Sequence, residues 1–97
     1  MDFKNQRFLT KGVDEHISPL LQILLWHLID NMPPPKDYLQ IFKLTNENGQ
    51  QKIIHVQEEP EYKREYLAKT DTPIFIGKIY VIDDETHSTM LLAEENI

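Results

Sequence analysis

The chain contains no cysteine. That excludes a disulfide framework, a thiolate metal site and a cysteine nucleophile, and it fits a reducing compartment. Glycine is scarce: there are three in 97 residues, and Gly12, Gly49 and Gly77 lie far apart. No glycine-rich phosphate cradle can be built from them. Positive charge is short as well, with ten Lys and Arg against sixteen Asp and Glu and a net charge of −6. A general nucleic-acid binder neutralises phosphates and should be basic, so nucleic acid is not an expected partner. Long hydrophobic runs are missing too. The richest stretch, Leu20 to Ile29, is broken by Gln22 and His27 and is too short to span a bilayer. The first residues, Met1-Asp2-Phe3-Lys4-Asn5-Gln6-Arg7, lack the apolar core of a signal peptide. The expectation is a cytoplasmic protein with no membrane contact.

What remains is ordinary globular material, 40% hydrophobic and 27% charged, in a length that suits one domain over residues 1–97 and not two. Arg7 to Thr10 reads as a short strand ending near Gly12, with Val13 to Ile17 leading into a helix. Ser18 is a natural N-cap, Pro19 suits the first helical position, and Pro33-Pro34-Pro35 stops the helix. The helix should therefore run from Ser18 to Met32, a rod of roughly 22 Å.

Beyond Tyr38 the periodicity changes to two. Tyr38–Leu44 and Lys52–Gln57 flank Asn48-Gly49, a strong hairpin signal. Tyr62–Leu67 alternates, with Tyr62, Arg64 and Tyr66 on one face. Ile74–Ile82 is rich in β-branched and aromatic residues, and Thr89–Ala93 returns after a turn. The expected fold is α+β, with one amphipathic helix packed on a mostly antiparallel sheet of five to six strands. Gly77, inside the Ile74–Ile82 strand, leaves open a variant in which the sheet curls into a partly open small barrel.

The helix carries the most functional information. At 100° per residue, Leu21, Leu24, Leu25, Leu28, Ile29 and Met32 form a core stripe, and Gln22, His27, Asp30 and Asn31 mark the opposite side. Ile23 and Trp26 fall among those polar residues. Either the Pro33–Pro35 segment or the N-terminal arm covers them, or Trp26 and Ile23, flanked by Gln22 and Asp30, form a partner or dimer surface.

Other constellations are weaker. Asp83-Asp84-Glu85 with His87 offers hard-ion ligands but lacks a Ca²⁺-loop spacing. Asp14-Glu15-His16 suits the dipole of the following helix. His55 reads as a surface or cross-strand histidine. The four histidines show no HExxH, and Ser18 and Ser88 no GxSxG. Lys63, Arg64 and Lys69 near Tyr62 and Tyr66 are offset by surrounding glutamates. No catalytic set, cofactor or metal site is expected.

Several segments together carry a resemblance: Arg7-Phe8-Leu9-Thr10-Lys11-Gly12-Val13, Leu25-Trp26-His27-Leu28-Ile29-Asp30, Lys52-Ile53-Ile54-His55, Gly77-Lys78-Ile79-Tyr80-Val81-Ile82-Asp83-Asp84 and Thr89-Met90-Leu91-Leu92-Ala93-Glu94-Glu95. Nearly the whole chain resembles domain-of-unknown-function family 960, small proteins of low-GC Gram-positive bacteria, their phages and mobile elements. The resemblance implies a cytoplasmic protein and brings no catalytic residues with it.

The leading expectation is a non-enzymatic protein-interaction module, whose partner is another protein or a second copy of the chain. One alternative is an acidic, phage- or mobile-element-encoded inhibitor that competes with nucleic acid for a basic host protein. The other is a small metal-dependent enzyme built on Asp83, Asp84 and His87.

Overall fold

Ser18 and Pro19 start the main helix as their chemistry requires. The Ser18 hydroxyl accepts from Leu21 N, and the helix, α2, runs over Pro19–Asp30 with Asn31 as its C-cap. The computed structural model describes residues 1–70 and 72–96. A second helix, α1, precedes it over Lys11–His16, capped by the Thr10 side chain, which accepts from Val13 N. Sequence reasoning passed over α1. Six residues with a glycine in the first turn carry too little periodicity to stand out.

The strands are β1 (Gln6–Leu9), β2 (Leu39–Glu47), β3 (Gln50–Gln57), β4 (Tyr62–Ala68), β5 (Gly77–Asp83) and β6 (His87–Leu92), followed by a 3₁₀ turn at Ala93–Glu95. They form one sheet in the order β1-β6-β5-β2-β3-β4. Four neighbouring pairs are antiparallel, and β1 pairs in parallel with β6. Asn48 and Gly49 both adopt positive φ, 52° and 84°, so the β2–β3 connection is the tight, twist-matched turn that Asn-Gly favours.

The barrel variant is corrected. The sheet is open, with β1 and β4 as its two edges. Gly77 does not bend the middle of a strand, because it is the first residue of β5. Its φ of 154° and the Phe75 ring, 3.0 Å from where a Cβ would stand, show a close approach at the strand's entry.

Both helices sit on one face of the sheet. The core beneath them joins Leu25 and Ile29 of α2, Val13 of α1 and Phe3 to Phe42, Leu44, Ile53, Ile79, Val81, Met90 and Leu92. Each fully buried aliphatic side chain contributes about 1.5–3 kcal/mol relative to exposure. On α2 the expected stripe holds. Leu25 and Ile29 are buried, as is Met32 just past the C-cap, and Leu21, Leu24 and Leu28 pack against the core. No helix among the described residues is long and apolar enough to cross a membrane.

Candidate functional site

The four helix residues expected at a partner surface are not equally free. Trp26 is half-buried and packs against the core. The Arg7 guanidinium lies over its ring at 4.5 Å, and the same group donates to both Asp30 carboxylate oxygens, at 2.5 and 3.3 Å. Arg7 Nε also donates to Phe3 O. Of the two coverings considered, the N-terminal arm is the one in place. Gln22 donates from Nε2 to Ile17 O at 2.8 Å, tying α2 to the end of α1. Ile23 alone is exposed without such a task, at 63%, with Leu20 at 79% one turn earlier. Beside Leu20 an open cleft of about 680 Å³ runs to Gln51, Ala68 and Lys69.

The ionisable clusters are spent on structure. Asp83 is buried and accepts from Phe3 N, Asn5 Nδ2 and Glu85 N. Burial pushes its carboxyl up, but those hydrogen bonds outweigh it and hold the group below the usual carboxylate range. Asp84 accepts from the Thr86 hydroxyl and from the backbone of Thr86 and His87, which brings it down to about 2. Glu95 is likewise lowered, mainly by the Thr10 hydroxyl and Leu92 N. Among the described residues no three metal-ligating side chains converge.

His55 is not a surface residue. It is fully buried, stacked on Phe42 at 4.4 Å with Tyr62 edge-on at 5.2 Å. Its Nε2 lies 2.7 Å from Gln40 Oε1. Gln40 Nε2 in turn donates to Gln57 Oε1 and Asp37 O, and Gln57 Nε2 donates to Pro60 O. This buried chain fastens the entry of β2 to the β3–β4 turn. Sequence alternation alone missed it because β3 places Gln51, Ile53, His55 and Gln57 on the helix side, so polar and apolar residues share the inner face.

The other face of the sheet is the surface that stands out. Of its apolar residues only Leu91, in β6, is buried, and none joins the main core cluster under the helices. Register places Leu39 beside Ile82, Ile41 between Tyr80 and Val56, and Ile54 beside Lys43, with Leu91 next to Tyr80 and Phe8 next to Thr89. Leu39, Ile41, Ile54, Val56, Tyr80 and Ile82 are all partly exposed, and Phe8 is 45% exposed. A sheet layer normally buries its apolar face against a second layer. Here helices cover one side only.

This face also carries a charge conflict. Lys43 and Lys78 are direct cross-strand neighbours, and like charges placed so are destabilising. Lys52 pairs with Glu47 and Glu65, and Lys63 with Glu65. Among the described residues neither Lys43 nor Lys78 has an acidic partner. The opposite end of the strands is acidic, with exposed Glu58, Glu59 and Glu61 in the β3–β4 turn and Asp84 and Glu85 in the β5–β6 turn.

Two helices over one side of an open six-stranded sheet define a two-layer α+β protein with an apolar second face. A family model described as Staphylococcal protein of unknown function (DUF960) matches residues 6–95, and the chain belongs to that family. Among solved structures it is similar to a protein of unknown function from Enterococcus faecalis, with a TM-score of 0.87 and 24% identity over 98% of this chain and 95% of that chain. At that identity the likeness establishes a common fold. No curated protein matches the chain.

Proposed function

We propose that this protein is a non-enzymatic interaction module that docks through the helix-free face of its sheet. The observation that carries the reading is the apolar field around Ile41 and Tyr80, bordered by the uncompensated Lys43–Lys78 pair. Large apolar patches with polar rims mark interaction sites in soluble proteins. The side chains that would do chemistry elsewhere support the same reading, since His55, Asp83, Asp84 and Glu95 are engaged in internal hydrogen bonds. The docking surface therefore moves from the helix to the sheet, and Trp26, Gln22 and Asp30 serve mainly the fold.

The test is affinity purification from the native host with wild type, Ile41→Glu and Ile23→Glu. Loss of the captured proteins with Ile41→Glu alone supports the sheet face. Loss with Ile23→Glu alone would return the site to α2 and refute this reading.

A further inference from the structure

We propose that the occupant of the helix-free face is a second copy of this chain, turned end for end. The inference rests on the docking face described above and names its partner.

Charge and area argue for it together. A two-fold axis lying between the two faces and running across the strands reverses strand direction from one copy to the other. With that axis over the Ile41–Tyr80 row, the apolar centres meet each other. The Lys43–Lys78 row, about 7 Å to one side at roughly 3.3 Å per residue, then faces the partner's Leu39–Ile82 row, which Glu58 flanks just past the end of β3 and beyond which, two residues on from Ile82, the acidic turn begins at Asp84. The long lysine side chains, exposed at the rim of this row, extend outward toward the partner's Glu58, Asp84 and Glu85, so the like-charge pair meets opposite charge at both ends by one operation. Such an isologous contact closes on itself and stops at two copies.

The size fits. Six strands at about 4.8 Å spacing and about seven residues long give a footprint near 650 Å² before corrugation is counted. A stable complex of standard size buries about 800 Å² per partner. Sheets packed face to face also give the second layer that a single uncovered sheet lacks.

Analytical ultracentrifugation of the purified protein tests this. The expected wild-type mass is twice 11.5 kDa at about 100 μM. Ile41→Glu, with an unchanged circular dichroism spectrum, should sediment as a monomer. The double variant Lys43→Glu/Lys78→Glu should dimerise about 100-fold more weakly, as should Glu58→Lys/Glu85→Lys, because each sets like charges against each other. Mixed together, these two double variants should form a heterodimer, since both ends are again complementary.

A wild-type dimer that survives Ile41→Glu, or a mixture that stays monomeric, would overturn the arrangement. A monomeric wild type overturns self-association outright. In that case host proteins lost with Ile41→Glu would still uphold the docking face, whereas unchanged capture would refute both.

Discussion

Acidification tests the buried network around His55. Gln40 uses its amide nitrogen on Gln57 and Asp37, so its oxygen faces the ring and accepts from Nε2–H. That fixes the neutral tautomer, with Nδ1 bare and without a partner. Protonation would bury a second N–H and a charge between Phe42 and Tyr62 with no acceptor in reach. Burial accordingly pushes the ring's pKa down from 6.5 to about 4. The unfolded chain takes up this proton first as pH falls, so the fold loses stability below about pH 6.5 and the loss is complete near pH 4. From pH 7 to pH 5 the linkage amounts to about 2 kcal/mol, and about 3 kcal/mol over the whole interval. The lowered carboxylates of Asp83, Asp84 and Glu95 act at lower pH, because their unfolded values lie near 4. Urea unfolding at half-unit steps between pH 7 and 5 reads the slope, and NMR titration of the ring reads the site. His55→Gln should flatten the slope whatever its own stability. A ring that titrates near 6.5, or a slope unchanged in His55→Gln, would refute the argument.

Trp26→Ala should cost about 2–3 kcal/mol in urea unfolding, since it removes core packing and the Arg7 stack. Ile23→Ser, at an exposed position, should stay within about 0.5 kcal/mol. Equal effects from the two would contradict the covering by Arg7. Gly77→Ala should destabilise by about 1–3 kcal/mol, because its φ of 154° disfavours a side chain and the Phe75 ring blocks the Cβ. Addition of Ca²⁺, Mg²⁺ or Zn²⁺ should leave the melting temperature unchanged; a rise of several degrees would revive a metal site at Asp83, Asp84 and His87.

Local chemistry was legible wherever neighbours in sequence decide the outcome. Ser18-Pro19 started α2, Asn48-Gly49 turned β2 into β3, and alternation put Tyr62, Arg64 and Tyr66 on one face. Distant partners were not legible. Arg7 over Trp26 joins residues that no local pattern links. In β5 Ile79 and Val81 face the core while Tyr80 and Ile82 face away, so the strand reads as apolar on both sides. Only the packing of Ile79 and Val81 with Val13, Leu25 and Ile29 shows which of those sides is left without helices. For His55 the cross-strand alternative holds, since it stacks on Phe42 and meets Gln40 of the adjacent strand, whereas its full burial was not legible because those partners lie far away in sequence.

The pairing of β1 with β6 has a consequence for how the chain assembles. Gln6 meets His87, Phe3 N reaches Asp83, and the Thr10 hydroxyl donates to Glu95. The first strand of the protein thus has no ladder partner until the last one has been made. During synthesis the β2–β3 and β3–β4 hairpins can form behind the ribosome, while residues 1–10 wait for the far end of the chain. Closing so long a loop costs more chain entropy than either of those hairpins, so docking of β1 is expected to be the slow, sequence-distant step of folding. Until it happens Trp26 lacks its cover, so tryptophan fluorescence should report the moment at which the two ends of the chain meet.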